Sequence, residues 1–534
     1  MSSGAEVVVE ALERAGVEVV FGLPGVHNLA LWAALRESSI RLVGVRHEQA
    51  AAYAADGYAR ATGQLGVAIV TTGPGAANTL GAVGEAWASR SPILVIATDI
   101  PSTLRRSGEY RGILHETDGQ AAMFVPVTKS VHLAHAAGDV ARATVAALDS
   151  ADGEPARPVY LEIATDLLTA EAPGLEPLGN DALDVEGRSP GGFWDAVAAL
   201  NGARRPLIWA GGGARDVGPH VGHLAERLAA PVLTTYGAAG VLPPGHPHLV
   251  GLPPHVEAAG RLWDEADVVL AIGSDLDGVQ TQNFAQPQPE TLIVIGLEEP
   301  TNYRADVFVR AHAGTIAPLA ASVEQRSGGA PDLAAVRAAA CATLDPTALR
   351  FLDSLRFALP ADANLVVDMC IPGYWCAGFF TPSAPRKLQV PLGWGTLGYA
   401  FPAALGTALA DTGPTVSISG DGGFLFASGE LATMAQEQIP LTAVIVDDGG
   451  YGMLRYDQVR AGSETFGVDL HTPDFEALAA SFGVWAETVF GLDDDFGEAL
   501  ARHIESGQPS VLVAKTPDPL VPPPNTSPNW YRKR

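Results

Sequence analysis

The sequence predicts an α/β protein made of three doubly wound parallel-sheet domains. Short apolar runs with the length of strands alternate with helical segments, and the same alternation starts again twice further along the chain. Repeated β-α units with continuous apolar strands indicate parallel sheets that are covered by helices on both faces. A chain of 534 residues is also too long for one hydrophobic core, and typical domain sizes give about three to four domains.

The first predicted domain, at residues 1–170, shows this alternation most clearly. Its strands are continuous apolar runs, as expected where both faces of a sheet are buried. We expect helices at residues 5–15, 29–37, 48–62 and 76–89, and strands at residues 17–21, 42–45, 67–72 and 93–98.

Two further domains follow stretches that have the composition of linkers. Residues 172–192 are rich in Pro and Gly, and a weaker linker lies at residues 327–331. Between them we expect a central domain at residues 190–325, with strands at 206–210, 232–235, 268–272 and 292–296. The third domain is expected at residues 345–518, and the Pro-rich residues 519–534 are expected to form a surface tail or a flap.

The composition excludes several classes of function. The chain is 47% apolar and 17% charged, which is the balance of a folded enzyme. Asp and Glu number 60 against 33 Lys and Arg, so neither nucleic acid nor an anionic membrane is an expected partner. The three cysteines form no CxxC pair, which argues against a disulfide framework and a zinc site. Without a signal peptide or an apolar run of about 18 residues, a cytoplasmic protein is expected.

Two acidic glycine loops in the third domain predict a site for a divalent cation and a diphosphate. Gly-Asp-Gly at residues 420–422 closes one apolar run, and Asp-Asp-Gly-Gly at residues 447–450 closes the next. Successive parallel strands end on one sheet edge, so Asp421 and Asp448 should approach a common point. Glycines let backbone amides reach a phosphate, and a helix expected at residues 427–438 would favour an anion at its N-terminus. Either motif alone is also common turn chemistry, and that alternative stays open.

One carboxylate in the first domain stands among glycine loops. Glu48 follows the strand expected at residues 42–45 and begins a helix, at the edge where α/β sheets form their sites. The neighbouring strands end in Gly-Leu-Pro-Gly at residues 22–25 and in Thr-Thr-Gly-Pro-Gly-Ala-Ala-Asn at residues 71–78. A glutamate in a first helical turn often only complements the helix dipole, and this alternative stays open. Three consecutive strand ends, two of which are glycine loops, thus converge around one carboxylate, which favours a catalytic site.

These motifs together resemble a known family. The loops just described, His-Glu-Gln at residues 47–49 with Ala-Ala-Asp-Gly-Tyr-Ala at residues 54–59, and the split Gly-Asp-Gly motif are similar to thiamin-diphosphate-dependent enzymes of the acetolactate synthase and 2-oxo acid decarboxylase superfamily. The resemblance covers nearly the whole chain, in the order pyrimidine-binding, central and diphosphate-binding domain. It implies thiamin diphosphate and Mg²⁺ as cofactors and a small 2-oxo acid as substrate.

The resemblance also implies roles for individual residues. Glu48 would hydrogen-bond N1′ of the aminopyrimidine, so that the 4′-imino group can remove the C2 proton of the thiazolium. Leu397 would be the apolar wedge that bends the cofactor, although a plain core role stays open. Asp421, Asp448 and the carbonyl of Gly450 would hold the metal. The other residues expected to contact the cofactor are Gly25, Thr72, Pro74, Asn78, Gly395, Gly420, Gly422, Gly423, Tyr451, Gly452 and Met453.

Three departures from the family's pattern affect these expectations. The commonest pattern has Asn-Asn where this chain has Asp447 and Asp448, and a second carboxylate should hold a hard cation more tightly while repelling phosphate. Residues 370–373 stand where acetolactate synthases carry Gln and His contacts to the diphosphate, so backbone amides would have to replace them. The segments that hold FAD in those synthases are not recognisable at residues 251–255 and 273–276, so FAD is not expected.

Histidine is the natural acid-base group for the later steps of such a reaction, because its pKa lies near neutrality. His115 matches a region that borders the active site in relatives, and His27 follows the first glycine loop. A surface or structural role for either histidine stays open. Thr71 stands where benzoylformate decarboxylase-like enzymes carry a catalytic histidine, which argues against that branch, and Arg455 is a candidate for binding the substrate carboxylate.

The function implied by the resemblance is decarboxylation of a 2-oxo acid with possible carboligation, as in acetolactate synthases. A lyase or acyltransferase acting on a hydroxyketone, sulfoacetaldehyde or an acyl-CoA is the alternative enzyme, and a non-catalytic cofactor-binding paralogue is the alternative outside enzymes. Glu48 and the metal loops lie in different domains, and relatives build each site between two subunits. The resemblance therefore implies a homodimer or a homotetramer.

Overall fold

Three parallel sheets form the framework of the structure, a computed structural model that describes residues 2–106, 108–175, 189–326 and 331–533. Helices cover both faces of each sheet, and apolar side chains from the strands and helices form the core. This architecture confirms the predicted fold class. Among the described residues, no helix combines the length and the apolar character that a bilayer crossing requires.

The first sheet has six strands, and its central strands are fully buried. The strands of this region are β1 (Ser2–Ser3), β2 (Val19–Gly22), β3 (Arg41–Gly44), β4 (Gly66–Val70), β5 (Ile93–Asp99), β6 (Ser130–Ala134), β7 (Val159–Ala164) and β8 (Glu171–Ala172). The helices are α1 (Gly4–Arg14), α2 (Leu29–Arg36), α3 (Glu48–Thr62), α4 (Pro74–Ala77), α5 (Leu80–Ala88), α6 (Val140–Asp152) and α7 (Thr165–Thr169). The spatial order of the sheet is β3-β2-β4-β5-β7-β6, while β1 and β8 pair separately and antiparallel.

The second sheet lies in the central part of the chain and has five strands. Its strands are β9 (Pro206–Ala210), β10 (Val232–Thr234), β11 (Val268–Ile272), β12 (Thr291–Gly296) and β13 (Val307–Arg310). The helices are α8 (Phe193–Gly202), α9 (Gly218–Leu228), α10 (Glu257–Glu265), α11 (Ile316–Ser322) and α12 (Leu333–Cys341). The strands lie in the order β10-β9-β11-β12-β13. Most of the linker expected at residues 172–192, and nearly all of the one at 327–331, falls outside the described residues.

The third sheet again has six strands. They are β14 (Asn364–Val367), β15 (Leu388–Gln389), β16 (Thr415–Gly420), β17 (Leu441–Asp447), β18 (Trp485–Phe490) and β19 (Ser510–Lys515). The helices are α13 (Pro346–Ala358), α14 (Ile371–Phe379), α15 (Ala400–Leu409), α16 (Asp421–Leu425), α17 (Leu431–Gln436), α18 (Gly452–Arg460), α19 (Phe475–Ser481) and α20 (Asp494–Ser506). Their order, β15-β14-β16-β17-β19-β18, repeats that of the first sheet strand for strand.

Two helix predictions were wrong in their bounds. The helix expected at residues 76–89 is divided into α4 and α5, because the hydroxyl of Thr79 bonds the carbonyl of Ala76 (2.7 Å) and competes with a continuous helix. The helix expected at residues 427–438 is only α17, and the helix that directly follows the Gly-Asp-Gly loop is α16. The carboxylate of Asp421 accepts from the amide of Gly422 (2.7 Å), which satisfies a first-turn amide of α16.

A close helix pair joins the first and third sheets. Helices α3 and α15 approach so tightly that a methyl group added at Gly57 would overlap the carbonyl of Ala403, and one added at Gly406 would overlap the carbonyl of Ala54. Glycine allows this separation because it has no side chain. Glu48 begins α3, so this contact fixes the position of the first sheet's candidate catalytic group relative to the third sheet.

The C-terminal tail is a strap rather than a free end. The carbonyl of Val521 accepts from the indole of Trp375 (3.0 Å), and Asn525 donates to the hydroxyl of Tyr236 (3.0 Å). The ring of Trp530 stacks on His255 with ring centroids 5.7 Å apart. The tail thus joins the central region to the third sheet, which agrees with the flap alternative.

Candidate active site

Glu48 lies at the carboxyl edge of the first sheet, at the first position of α3. The side chain of His47 caps this helix, with Nδ1 accepting from the amide of Gln49 at 3.2 Å. The carboxylate of Glu48 is 9% exposed, and its Oε2 accepts a hydrogen bond from Nδ2 of Asn78 at 3.0 Å. The structure therefore brings two of the predicted site residues into direct contact. The hydrogen bond from Asn78 orients one carboxylate oxygen.

A residue of the third sheet's region holds the backbone in front of Glu48. The buried carboxylate of Glu430 accepts from the amides of Arg46 (2.9 Å) and His47 (3.0 Å). Burial raises the pKa of Glu430, and the hydrogen bonds from Thr433 and these amides act against that rise. Sequence reasoning missed this contact, because the partners are 383 residues apart. No local signal in the sequence could have indicated it.

The glycine loops after β2 and β4 pack against each other and against Glu48. A methyl group added at Gly25 would lie 2.5 Å from the hydroxyl of Thr71, and one at Gly75 would lie 2.7 Å from the methyl of Thr71 and 3.5 Å from Glu48 Oε1. These positions must be glycine for the loops to lie together. The hydroxyl of Thr72 turns inward to that of Thr98 (2.9 Å), so the Thr72 side chain faces β5. Pro74 is exposed at the start of α4.

His27 and His115 meet beside this loop cluster. Their rings pack edge to face with centroids 5.3 Å apart, and Nδ1 of each ring is buried without a hydrogen-bond partner in the described part of the chain. Burial and the neighbouring His115 lower the pKa of His27, while Asp99 acts in the opposite direction. A methyl group added at Gly73 would lie 3.0 Å from the Cβ of His115. The two predicted histidines therefore form one pair at the glycine loop.

A buried polar network that sequence reasoning missed supports the same loop. Gln120 is 1% exposed, and its Oε1 accepts from the amide of Gly73 at 2.5 Å. Its Nε2 donates to the hydroxyl of Tyr160 (2.9 Å) and to Glu162 Oε2 (2.8 Å). Burial raises the pKa of Glu162, and the nearby Asp99 raises it further. Fully hydrogen-bonded buried networks of this kind fix a single loop conformation.

Asp421 and Asp448 lie at the carboxyl edge of the third sheet. Burial first, and Asp448 second, raise the pKa of Asp421 to about 7, and its Oδ2 is buried without a hydrogen-bond partner among the described residues. Burial also raises the pKa of Asp448, while Arg455 lowers it. A charged Asp421 beside Asp448 is unfavourable unless a proton or a cation compensates it. In the described ranges there is no cluster of three or more His, Cys, Asp or Glu side chains suited to a metal, so the donor set is two carboxylates plus backbone oxygen.

These oxygens fit Mg²⁺, a hard cation that takes few protein ligands and completes its shell with phosphate oxygens and water. The loops around the two carboxylates form a cradle whose backbone is rich in glycine. A methyl group added at Gly452 would overlap Asp448 Oδ2, and one at Gly422 would lie 2.6 Å from the ring of Tyr451. The glycines thus let the side chains of Asp448 and Tyr451 lie directly against the backbone of the cradle.

Leu397 lies at the rim of this cradle. It is half-buried rather than a core residue, and its Cδ1 would be 3.2 Å from a methyl group at Gly423. The adjacent amide of Gly398 donates to both oxygens of Asp368 (3.1 Å each), and burial raises the pKa of Asp368 to about 6. Gly395 has a φ of 61°, a left-handed conformation that favours glycine. Asp368 is a further buried carboxylate that sequence reasoning missed.

Arg455 and Cys370 have structural contacts of their own. The guanidinium of Arg455 bonds Asp469 (2.9 Å) and the carbonyls of Asp448 (3.3 Å) and Gly449 (3.1 Å), so it holds the metal loop. This arrangement argues against the prediction that Arg455 meets a substrate carboxylate. Cys370 caps α14, and burial raises the pKa of its thiol. The thiol is therefore not prepared as a nucleophile.

The fold and these two edges define a three-domain α/β enzyme with a buried glutamate on one sheet and paired aspartates on another. Three segments match family descriptions: residues 2–123 match "Thiamine pyrophosphate enzyme, N-terminal TPP binding domain", residues 194–318 its "central domain" and residues 370–514 its "C-terminal TPP binding domain". The chain belongs to the thiamine pyrophosphate enzymes, which confirms the predicted family, its enzymatic nature and thiamin diphosphate as the cofactor.

Relatives of this chain carry two kinds of name. It is 35% identical over 525 residues to a "Probable 2-ketoarginine decarboxylase" of Pseudomonas aeruginosa, covering 95% of this chain and 92% of that protein. It is 30% identical over 559 residues to a "Probable acetolactate synthase large subunit" of Methanocaldococcus jannaschii, covering 97% and 93%. With an acetolactate synthase isozyme 2 large subunit of Escherichia coli it shares 28% over 546 residues, covering 98% of each. The chain is thus similar to a decarboxylase and to carboligases of one superfamily.

Proposed function

We propose that this protein decarboxylates a 2-oxo acid with thiamin diphosphate and Mg²⁺, and that Glu48 is its proton-handling residue. The observation that carries the proposal is the buried carboxylate of Glu48, held by Asn78 at the meeting point of the glycine loops. When bound, the cofactor supplies a thiazolium that accepts the electron pair left behind by CO₂. Glu48 would hold a proton at the aminopyrimidine N1′, and its burial keeps water from competing for that proton.

The third sheet would hold the charged end of the cofactor. Asp421, Asp448 and the carbonyl of Gly450 are the proposed Mg²⁺ ligands, and the cradle around Gly422 and Gly452 would receive the diphosphate. The partnerless Oδ2 of Asp421 supports this assignment, because a buried anionic oxygen is costly unless a cation or donor meets it. The rim residue Leu397 would support the bent cofactor.

The histidine pair would serve the proton transfers that follow the loss of CO₂. The lowered pKa of His27 keeps that ring neutral near pH 7, so it can accept a proton from water or product. His115 is in ring contact with His27, so a proton on one ring affects the other. We propose that the pair passes protons between water and the reacting groups, taking one up before it donates one, which gives release of an aldehyde.

The fate of the acyl group after CO₂ is lost distinguishes the two outcomes: protonation gives an aldehyde, and transfer to a second carbonyl compound is carboligation. The acetolactate synthase relatives favour carboligation as a second candidate outcome. The experiment is a mass-spectrometric analysis of products from purified protein with cofactor, Mg²⁺ and a 2-oxo acid panel. An aldehyde alone supports decarboxylation, a hydroxyketone supports carboligation, and no CO₂ from any acid contradicts the proposed function. The same assay detects products of hydroxyketone, sulfoacetaldehyde or acyl-CoA substrates.

The side chain of the 2-oxo acid is proposed to be cationic. One relative that matches 95% of this chain is named for 2-ketoarginine, whose side chain ends in a guanidinium. The formal net charge of this chain is −27, which favours the approach of a cation at low ionic strength. The panel should therefore include 2-oxo-5-guanidinopentanoate beside pyruvate and branched 2-oxo acids.

We also propose a cytoplasmic homodimer or homotetramer with sites between subunits. Large apolar side chains are exposed around both sheet edges, which is typical of surfaces that a partner covers. They are Val26, Leu29, Leu114, Trp394, Phe426 and Leu454, which are 51–62% exposed. Light scattering coupled to size exclusion tests this, and a monomer that remains active would contradict it. The boundaries 1–170, 190–325 and 345–518 are our proposed domain limits.

A further inference from the structure

Helix α18 leads away from the candidate metal site and carries a carboxylate that the reaction described above does not use. The helix begins at Gly452, where any side chain would overlap the carboxylate of Asp448. From Gly452 to Asp457 the helix advances about 7.5 Å, because an α-helix rises about 1.5 Å per residue. Asp457 lies on the same face as Met453 and Leu454, at spacings of one helical turn. Asp457 thus lies about 7.5 Å along the helix from the glycine that touches the candidate metal ligand Asp448.

Asp457 has an anionic oxygen without a partner. Its Oδ1 is buried and has no hydrogen-bond partner among the residues that the structure describes. Burial raises the pKa of this carboxyl, and Arg460 on the next turn lowers it. A buried carboxylate oxygen without a donor is unfavourable unless a ligand supplies one. Because Asp457 also lines an open cleft, its carboxylate can be approached from that side by a donor that is not part of this chain.

The surroundings connect Asp457 to the cofactor cradle. The phenol of Tyr374 lies within electrostatic reach of both Asp457 and Asp368. Asp368 in turn bonds the amide of Gly398 next to the rim residue Leu397. Tyr374 lies on α14, whose Ile371 comes within 3.5 Å of the methyl position at Gly452. Residues of α14 therefore come near both Asp457 and the cradle.

A cleft opens between α18 and the C-terminal strap at this carboxylate. It has a volume of about 490 Å³ and is lined by Asp457, Arg460, Ala461, Ser527, Pro528 and Lys533. The two cations on its rim have oxygen partners in the strap: Arg460 bonds Asn529 Oδ1, and Lys533 bonds the carbonyl of Pro528 (3.5 Å). Asp457 is the carboxylate of the lining, and the volume suits an amino-acid-sized molecule.

We propose that Asp457 is a specificity-determining residue that binds the cationic end of a 2-oxo acid with a side chain of arginine length. The inference rests on the proposed function, because it requires the 2-oxo group at the cofactor cradle. A planar guanidinium can place two N–H donors on one carboxylate, which distinguishes it from a neutral group of the same shape. The site would then reject small apolar 2-oxo acids by leaving Asp457 unpaired.

The test compares two substrates that differ in charge and little in shape. These are 2-oxo-5-guanidinopentanoate and its neutral counterpart 2-oxo-5-ureidopentanoate, assayed for CO₂ release by the holoenzyme. We expect the unaltered protein to prefer the guanidino acid in kcat/KM by at least about tenfold, the range of one charge-assisted hydrogen bond. In Asp457→Asn this ratio should fall to near one through an increase in KM for the guanidino acid. Asp457→Glu, which keeps the charge, should retain part of the preference.

Controls separate this result from a loss of folding or of total charge. Glu505→Gln removes one exposed carboxylate of α20 and should keep the preference. Circular dichroism and cofactor binding by fluorescence show whether Asp457→Asn is folded and loaded. A preference that survives in folded Asp457→Asn overturns the proposal, and so does a protein that prefers acidic 2-oxo acids through Arg460 and Lys533. CO₂ from neutral acids without a guanidino preference overturns this inference and the proposed cationic side chain but leaves the proposed decarboxylation intact, whereas no CO₂ from any acid contradicts the decarboxylation as well.

Discussion

The first and third sheets share one strand order, yet their carboxyl edges differ in how their carboxylates are satisfied. At the first edge Glu48 is bonded by Asn78, and the glycine loop beside it is held by the buried network around Gln120. At the third edge Asp421 has a buried oxygen without a partner, and Asp448 further raises its pKa. Glu48 thus has a hydrogen-bond partner within the chain, whereas the partnerless oxygen of Asp421 is where we propose that a cation binds.

Under the proposed function, the difference between the two edges matches the difference between the two ends of the cofactor. A neutral ring needs a hydrogen-bonding partner of fixed orientation, and the first edge would supply it through Glu48, which Asn78 orients. A diphosphate needs compensation of charge, and the third edge supplies paired carboxylates on which a metal can sit. The helix pair α3 and α15 packs the region of the first sheet against that of the third within one chain. The predictions below change one edge, or the joint, at a time.

Replacing the carboxylate of the first edge should have the largest effect. Glu48→Gln keeps the shape and the contact with Asn78 but cannot exchange a proton with the ring in the same way. We expect kcat to fall by about 10²–10⁴-fold, the usual range for a lost acid-base group. Cofactor affinity, measured by calorimetry, should change far less. The exposed Glu37→Gln is the matched control and should have the rate of the unaltered protein; a Glu48→Gln enzyme at full rate would contradict the assignment.

At the third edge we expect protons and Mg²⁺ to compete for the carboxylate of Asp421. The pKa of Asp421 is raised to about 7, so below that pH the folded protein holds a proton where the metal would bind. We therefore expect magnesium-dependent cofactor affinity to rise as pH increases through about 7 and to level off above it, by up to about tenfold per pH unit. Calorimetry at pH 6 and pH 8 checks this. Asp421→Asn should lower affinity at pH 8 by about a hundredfold and remove the pH dependence.

The same raised pKa has a consequence for the stability of the metal-free protein. The folded pKa of about 7 lies above the ordinary aspartate value of 3.8, so the contribution of this carboxyl to stability is fully present below about pH 4 and is lost as pH rises through about 7. Magnesium with the cofactor should therefore raise the melting temperature more at pH 8 than at pH 6. Thermal unfolding at both pH values measures the difference. An equal increase at both would show that protons and the cation do not compete at Asp421.

The joint between the edges should respond through stability. Gly57→Ala places a methyl group against the carbonyl of Ala403, so α3 and α15 must move apart. Overpacking of a close contact costs about 1–3 kcal/mol of unfolding free energy, which denaturant titration can measure. The exposed Gly429→Ala is a control, because nothing lies within 4 Å of its methyl position. If Gly57→Ala is as stable as the control, the helix pair is looser than described.

The two edges were accessible from the sequence to different degrees. Apolar runs that end in glycine loops are local patterns, so Glu48, Asp421 and Asp448 could be predicted to lie at sheet edges. The supports of Glu48 could not, because Glu430 reaches His47 across 383 residues and Gln120 reaches Glu162 across 42. The predicted bounds of two helices were wrong for a different reason. Thr79 and Asp421 bond neighbouring backbone groups, and such side-chain bonds override helical periodicity.

The smallest expected effect comes from making the third edge less acidic. Asp448→Asn keeps an oxygen ligand for the cation but removes one of the charges that raise the pKa of Asp421. The pH at which magnesium binding reaches half of its maximum should therefore move below about 7, while affinity at pH 8 should fall by only about fivefold or less, since a neutral oxygen still coordinates. Calorimetry over the same pH range compares the two proteins. Asp447→Asn is the matched control, since its charge acts on Asp421 more weakly than that of Asp448. A midpoint that does not move in Asp448→Asn would mean that burial alone sets the pKa of Asp421, and that the two carboxylates do not act as a pair.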